Sequence, residues 1–123
     1  MQNKILIVED DQFVSELYDH QFTKYGFFTK VASDGEKALE LARAYKFDAV
    51  LLDIMIPKLD GIEVLKKLKA DSSTKDTVVV ILSNLGQDDL IKQALQIGAK
   101  AYIIKSLYTP DQVVSEVRSI IGV

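Results

Sequence analysis

The chain has 123 residues, 48% of them hydrophobic and 27% charged, as expected for one ordinary globular domain. Fifteen Lys and Arg against 18 Asp and Glu give a net charge of −3, which argues against direct nucleic-acid binding. The absence of cysteine excludes disulfides, a thiolate nucleophile and Cys-ligated metals, and His20 as the single histidine excludes a His-rich metal site. Neither a membrane-spanning run nor a signal-peptide pattern is found, so we expect a cytoplasmic protein.

The first part of the chain predicts two strands and two helices in alternation. Residues 4–8 (KILIV) are a β-branched run that indicates a strand, and the acidic triplet 9–11 ends it. Apolar residues then recur at helical spacing over 12–25, which predicts a helix with one buried stripe. A weaker strand is expected at 28–31, followed by a helix whose capping box begins at Ser33.

The stretch 50–57 (VLLDIMIP) is the centre of the predicted fold. Its continuous apolar run is typical of a strand that is buried on both faces, as in a parallel sheet. Asp53 stands at the carboxyl end of this strand, and Gly61 closes the loop that follows. Ligands of open α/β sheets bind at that edge, so Asp53 is the first candidate site residue.

The second half continues the same alternation. The run 77–82 (TVVVIL) is the most β-prone stretch of the chain, and Ser83 begins its exit loop. A helix follows and is closed by Gly98, and a fifth strand is expected at 101–104. The sequence Thr-Pro-Asp-Gln at 109–112 is a strong signal for the start of a last helix.

Five strand–helix repeats of this length predict an α/β fold, a doubly wound parallel sheet with helices on both faces. Residues 1–123 are expected to form a single domain, because no linker, low-complexity tract or internal repeat interrupts the pattern.

Polar residues follow four of the five predicted strands: Glu9 and Asp10, Asp53, Ser83, and Lys105. Taken singly, each is an ordinary turn or strand-end residue. The carboxyl ends of parallel strands share one edge of a sheet, however, so all five are expected to face one crevice. Five suitable residues at one edge indicate a site rather than a coincidence.

The chemistry of this group points to a cation and an anion together. Three carboxylates in one place repel each other, and oxygen ligands without Cys or His suit a hard cation, with Mg²⁺ as the first choice. Beside a metal, Lys105 and Ser83 suit an anionic oxygen cluster such as a phosphoryl group. An aspartate can itself accept a phosphoryl group, and Asp53 is the central candidate.

Several segments resemble the receiver domains of two-component response regulators, similar to those of chemotaxis. They are KILIVEDD at 4–11, LLDIMIPKLDG at 51–61, ILSN at 81–84, GAKAY at 98–102, and Lys105. The resemblance spans the whole chain and implies a flavodoxin-like (βα)5 fold. Its strand order, 2-1-3-4-5, is carried over from the chemotaxis receivers that have it.

The resemblance implies a phosphorylation-controlled signalling switch rather than a conventional enzyme, although such domains catalyse their own phosphorylation and dephosphorylation. Asp53 would accept a phosphoryl group from the phosphohistidine of a sensor histidine kinase or a histidine phosphotransfer protein. Asp10, Asp53 and the backbone carbonyl of Met55 would bind Mg²⁺ directly, and Glu9 would act through water.

Further roles are implied for the remaining site residues. Ser83 and Lys105 would bind the phosphoryl oxygens, and Ser83 would form a switch pair with Tyr102. Phosphorylation would draw Ser83 inward and remodel the face of the fourth helix, fifth strand and fifth helix, where an unknown protein target would bind. The residues expected on that partner face are Asp88, Lys92, Lys100, Tyr102 and Gln112.

Two features of the sequence depart from the family pattern. Ser106 follows Lys105 where the family usually has a proline after a cis peptide bond, which leaves the isomer of this bond open. Lys100 and Ala101 stand where dimerising transcription-factor receivers commonly carry Asp, so a monomer or weak dimer is expected.

Three alternatives remain open at this stage. A phosphohydrolase of the haloacid-dehalogenase type needs an acid two residues after its nucleophile, and that position is Met55. A flavodoxin-like cofactor binder needs a phosphate loop after the first strand, where the acidic triplet 9–11 would repel phosphate. A degenerate receiver that only binds partners is kept open by Ser106.

Overall fold

The computed structural model describes residues 2–123, in which five strands alternate with five α-helices. In chain order the elements are β1 (Lys4–Val8), α1 (Gln12–Lys24), β2 (Phe28–Ala32), α2 (Gly35–Ala44), β3 (Ala49–Leu52), α3 (Gly61–Ala70), β4 (Val78–Ser83), α4 (Asp88–Ile97), β5 (Ala101–Ile104), a 3₁₀ turn (Lys105–Leu107) and α5 (Pro110–Ile121). No helix within residues 2–123 is both long and apolar enough to cross a membrane.

The strands form one parallel sheet in the order β2-β1-β3-β4-β5, which confirms the predicted fold class and strand order. The chain steps from β1 outward to β2 and then returns to the other side of β1 at β3. The carboxyl ends of β1 and β3 therefore flank the point where the winding reverses, and such crevices bind ligands in open sheets. In the register, Val8 pairs with Leu52, so Glu9 and Asp53 leave the sheet side by side.

Two apolar layers cover the two faces of the sheet. Along β3, Val50 and Leu52 face the layer shared with α2, α3 and α4, whereas Ala49 and Leu51 face the layer shared with α1 and α5. All four residues of β3 are buried, as expected for a central parallel strand. Asp53 therefore directly follows a fully buried strand in the middle of the sheet.

The ends of the helices differ in part from the prediction. The capping box of α5 is present, with Thr109 and Gln112 exchanging side-chain and backbone hydrogen bonds. The predicted capping box at Ser33 is wrong, because Asp34 is the N-cap of α2 and its carboxylate accepts the Lys37 N–H at 2.7 Å. An ionised carboxylate is a stronger acceptor than a hydroxyl and also complements the positive end of the helix dipole.

The buried stripe predicted on α1 is also partly wrong. Ser15, Tyr18 and Phe22 are the buried residues of this helix, while Phe13 is 75% exposed and Leu17 is 42% exposed. Ser15 is buried because its small hydroxyl is satisfied locally by the carbonyl of Gln12. Apolar spacing alone did not reveal which of two adjacent stripes packs on the sheet.

Candidate functional site

Glu9, Asp10 and Asp53 form an acidic cluster at the carboxyl ends of β1 and β3. One carboxylate oxygen from each lies within 4.8 Å of those of the other two. Glu9 and Asp53 are buried, whereas Asp10 is exposed at the mouth of the cleft. Buried like charges at this spacing are unfavourable without a cation. An oxygen-only donor set that is open to solvent on one side fits Mg²⁺, which keeps part of its water shell in proteins.

Lys105 supplies positive charge to this cluster. Its Nζ donates to Asp53 Oδ2 at 2.9 Å and also donates to Glu9 Oε1. Burial lowers the pKa of the Lys105 ammonium, but hydrogen bonds and charge from Asp53 and Glu9 outweigh burial and hold that pKa above its ordinary value. Lys105 is therefore a fixed cation at neutral pH.

The carboxylates are also oriented by the backbone. Asp53 Oδ1 accepts the Ile54 N–H at 2.7 Å, and Glu9 Oε2 accepts the Asp11 N–H at 3.1 Å. Burial raises the pKa of the Glu9 carboxyl, and hydrogen bonds from Lys105 and Asp11 only partly oppose this. Each buried carboxylate thus uses one oxygen for a main-chain donor and the other for Lys105.

Two glycines hold the loop that follows Asp53. A Cβ atom on Gly61 would lie 2.2 Å from the carbonyl oxygen of Asp53, and one on Gly35 would lie 2.1 Å from the carbonyl oxygen of Leu59. The Gly61 N–H also donates to the carbonyl of Ile54 at 2.8 Å. The N-termini of α2 and α3, where these glycines lie, therefore pack closely against the loop and fix the positions of its carbonyl groups.

Ser83 lies beside this cluster at the end of β4 and is 1% exposed. Its hydroxyl accepts the Leu85 N–H at 3.1 Å, and the hydroxyl of Tyr102 donates to the carbonyl of Leu85. Burial raises the pKa of the Tyr102 hydroxyl, and the neighbouring Ser83 hydroxyl opposes this only in part. Ser83 makes no hydrogen bond to Lys105 or to the acidic cluster among residues 2–123. Ser83 and Tyr102 are instead joined through one residue of the loop between β4 and α4.

The peptide bond between Lys105 and Ser106 is trans, as are all the peptide bonds that the structure describes. The Ser106 N–H donates to Asn84 Oδ1 at 2.9 Å. Sequence reasoning missed Asn84, because the two residues are 22 positions apart and nothing in the local pattern connects them.

Exposed apolar side chains follow three of the site residues in the sequence. Phe13 lies three residues after Asp10, Met55 lies two after Asp53, and their side chains are 75% and 68% exposed. Leu107 lies two residues after Lys105 and is also exposed. Each of these side chains follows a site residue closely, so the apolar surface and the acidic cluster occupy the same end of the molecule.

The five residues of the predicted partner face lie on α4, β5 and α5 or just before β5. Asp88, Lys92, Lys100 and Gln112 are exposed, and Tyr102 is half-buried. Their accessibility is compatible with a binding surface, and their role stays a prediction.

A flavodoxin-like sheet with three acids, a serine and a lysine at its carboxyl edge defines the class of receiver domains. The family model described as response regulator receiver domain matches residues 5–118, and the chain belongs to this family. The predicted family is thereby confirmed. Receiver domains serve phosphorylation-based signalling, bind Mg²⁺ in their active site, and interact with histidine kinases and downstream targets. They are generally signalling switches and not conventional enzymes.

Individual relatives agree with this assignment. The chain is 34% identical, over 121 residues, to the alkaline phosphatase synthesis transcriptional regulatory protein PhoP of Bacillus subtilis. The aligned region covers 98% of this chain and 49% of PhoP. Among solved structures, the receiver domain of the Francisella response regulator 1452 has 30% identity and a TM-score of 0.90, with 98% of each chain covered. The CheX-CheY-BeF3-Mg complex of Borrelia burgdorferi has 34% identity and a TM-score of 0.88, with 96% of this chain and 88% of that chain covered.

The chain spans about half the length of the curated relatives that it matches. PhoP is named as a transcriptional regulator. The argument from net charge against nucleic-acid binding therefore concerns these 123 residues alone.

Proposed function

We propose that Asp53 is the phosphoacceptor of a signalling switch and takes a phosphoryl group from the phosphohistidine of a sensor histidine kinase or a histidine phosphotransfer protein. One carboxylate oxygen of Asp53 forms the new O–P bond while the P–N bond of the phosphohistidine breaks, and the electron pair returns to the imidazole nitrogen. The observation that carries the proposal is the convergence of Glu9, Asp10, Asp53 and Lys105 at one edge of the sheet.

The acidic cluster is proposed to bind Mg²⁺, with Asp10, Asp53 and the backbone carbonyl of Met55 as direct ligands and Glu9 acting through water. A Mg²⁺ ion held by these residues would offset part of the negative charge of the carboxylates and of the phosphoryl oxygens. The two glycines beside the loop support this assignment, because they fix the main-chain carbonyls that follow Asp53. A magnesium ion is named in the Borrelia CheY complex, and that protein is 34% identical to this chain.

Lys105 and Ser83 are proposed to bind the phosphoryl oxygens. Lys105 already contacts Asp53 Oδ2 at 2.9 Å, so a phosphoryl group on Asp53 forms within reach of its ammonium. Ser83 is buried and its hydroxyl proton is free to point toward an acceptor, because the hydroxyl oxygen accepts the Leu85 N–H. Both groups then act as donors to an anion, which suits their chemistry.

Ser83 and Tyr102 are proposed to transmit the signal. If the Ser83 hydroxyl turns to the phosphoryl group, its contact with the Leu85 N–H changes, and the carbonyl of Leu85 is held by Tyr102. A local charge event at Asp53 therefore reaches the α4–β5–α5 face through a single loop residue. A downstream protein target binds that face.

The exposed apolar side chains of Phe13, Met55 and Leu107 are proposed to receive the phosphodonor protein. They lie on α1, in the loop after β3 and on the 3₁₀ turn, each within three residues of a site residue in the sequence. We further propose that residues 1–123 act as a single domain that is a monomer or weak dimer, located in the cytoplasm. Catalysis is limited to the domain's own phosphorylation and dephosphorylation.

The test is the intact mass of the protein after incubation with acetyl phosphate and Mg²⁺, with and without the Asp53→Asn substitution. A gain of one phosphoryl group that requires both Mg²⁺ and Asp53 supports the proposal. No gain in a folded protein that binds Mg²⁺ favours a degenerate receiver that only binds partners.

A further inference from the structure

Ser106 gives the Lys105 loop a hydrogen-bond donor that the usual family residue lacks. Proline has no N–H, whereas the Ser106 N–H donates to the side chain of Asn84 with an N···O distance of 2.9 Å. The donor and acceptor are both at the surface, yet the distance is that of a well-formed bond. The departure from the family pattern therefore creates a specific contact.

This contact joins two loops that leave neighbouring strands. Asn84 directly follows Ser83 at the end of β4, and Ser106 directly follows Lys105 after β5. Within the sheet, Ser83 pairs with Ile104, so the two loops start at the same level. Beyond the last ladder pair, the bond between Asn84 and Ser106 continues the connection between the two strands.

We propose that Asn84 is a positioning residue that aligns Lys105 with Ser83 by holding the Ser106 N–H. The proposal rests on the proposed function, in which Lys105 and Ser83 bind the same phosphoryl group. In this proposal, the hydrogen bond between the Asn84 side chain and the Ser106 backbone amide fixes the loop after Lys105.

The short 3₁₀ turn that begins at Lys105 explains why the loop needs an outside contact. Lys105 opens a 3₁₀ turn of three residues, Lys105–Leu107, and the N-cap residue Ile104 makes no side-chain capping hydrogen bond. Short 3₁₀ turns have poor intrinsic hydrogen-bond geometry, so their position depends on outside contacts. The contact with Asn84 is such an anchor, and it acts one residue away from the functional lysine.

The effect of losing this contact is expected to differ from the effect of damaging the proposed metal site. The proposed Mg²⁺ ligands lie in the loops after β1 and β3, whereas Asn84 and Ser106 lie in the segments after β4 and β5. Loss of the contact is expected to slow phosphoryl transfer to Asp53 and to leave Mg²⁺ affinity unchanged. Because water competes with an exposed hydrogen bond, the expected loss in rate is about two- to fivefold.

The experiment is a double-mutant cycle of Asn84→Ala and Ser106→Pro, with the rate of phosphorylation by acetyl phosphate and Mg²⁺ as the readout. Each single variant is expected to slow the reaction about two- to fivefold. The double variant is expected to be no slower than Ser106→Pro alone, because the acceptor has no function once the donor is gone. Gln87→Ala is the matched control, since Gln87 lies in the same loop and makes no side-chain cap.

A second readout follows the bond itself. Amide hydrogen exchange at Ser106 is expected to accelerate in Asn84→Ala and to stay slow in Asn84→Asp, which keeps an acceptor oxygen. Mg²⁺ affinity, followed by NMR shifts, is expected to be equal in wild type and Asn84→Ala.

The outcomes distinguish this inference from the proposed function. If wild type takes up phosphate while rates in the cycle are unchanged or simply multiply, the positioning role is overturned and the phosphoacceptor assignment stands. An unchanged exchange rate at Ser106 in Asn84→Ala overturns it as well. If wild type itself gains no phosphate, the proposed function fails and the positioning role fails with it.

Discussion

Two partly buried lysines, Lys69 and Lys105, differ in the groups to which they donate hydrogen bonds. Lys69 lies at the end of α3 and donates to the carbonyls of Lys75 and Thr77 at 3.0 and 2.8 Å. Burial lowers the pKa of Lys69, and only the charge of Asp76 opposes this. Lys69 therefore holds the loop between α3 and β4 in place, and its partners are at most eight residues away in the sequence.

Lys105 has partners of a different kind. It contacts two carboxylates that are 96 and 52 residues distant in sequence, and these hold its pKa above the ordinary value. A lysine such as Lys69, which donates to backbone carbonyls nearby in the sequence, is common in loops. Bringing acids from two strands to one lysine is costly for folding, and such groups are typical of functional sites.

Replacement of each lysine by methionine separates the two roles most strongly. We expect Lys105→Met to reduce the rate of Asp53 phosphorylation about a hundredfold or more, because charge stabilisation of a transferring phosphoryl group is lost. We expect Lys69→Met to leave that rate within twofold of wild type. Phosphorylation by acetyl phosphate and Mg²⁺, followed by mass, gives both rates. Equal loss in the two variants would contradict the comparison.

The same pair differs in how Mg²⁺ affects stability. Lys105→Met leaves two buried carboxylates without a cation, so we expect the free energy of unfolding to fall by about 2 kcal/mol without metal and to recover with Mg²⁺. Lys69→Met removes two hydrogen bonds and is expected to cost about 1 kcal/mol whether or not Mg²⁺ is present. Urea unfolding in EDTA and in excess Mg²⁺ measures both effects.

Removal of one acid sharpens the account of the cluster. Asp10→Asn is expected to weaken Mg²⁺ binding tenfold or more, since the proposed direct ligand loses its charge. Because the repulsion with Glu9 and Asp53 is relieved, the melting temperature without metal is expected to rise. Calorimetry with and without Mg²⁺ checks both results, and a lower melting temperature without metal would show that the cluster is not repulsive.

The clamp on the Asp53 loop is tested at Gly35. Gly35→Ala places a methyl group 2.1 Å from the Leu59 carbonyl oxygen, so we expect a loss of about 2 kcal/mol in the free energy of unfolding and weaker Mg²⁺ binding. Gly26→Ala is the control, because a Cβ there meets nothing within 4 Å, although its positive φ also carries strain. A Gly35 variant with normal stability and metal affinity would remove the clamp from the account.

Alkaline pH gives the smallest expected effect. The folded pKa of Lys105 is raised above 10.5, so its contribution to stability is present below pH 10.5 and is lost as the pH rises through the folded value. The folded pKa of Lys69 is lowered, so folding becomes more favourable as the pH rises through that value toward 10.5. NMR of lysine side-chain carbons in metal-free protein is expected to show Lys105 titrating at higher pH than Lys69.

Much of the architecture was predictable, because buried parallel strands and helix repeats leave strong patterns. The apolar run before Asp53 identified a central strand, and the edge rule for parallel sheets brought Glu9, Asp10, Asp53, Ser83 and Lys105 to one end. These inferences use only strand direction and the order of elements, and both survive small errors in element boundaries.

Features that depend on side-chain competition were not predictable. Ser33 and Asp34 are both good caps, and the choice of Asp34 depends on the geometry of the turn. Phe13 is exposed and Ser15 is buried because the docking angle of α1 decides which stripe of the helix meets the sheet. The bond between Asn84 and Ser106 depends on two loops that meet only in the folded chain.

The central claim, that Asp53 carries the phosphoryl group, is tested most directly by trapping the acyl phosphate. Borohydride reduction of the phosphorylated protein converts a phosphoaspartate to homoserine, and peptide mass mapping then locates the modified residue. We expect homoserine at position 53, and only after incubation with phosphodonor and Mg²⁺. Homoserine at position 10 instead, or reduction at no position in a protein that has gained phosphate, would contradict it.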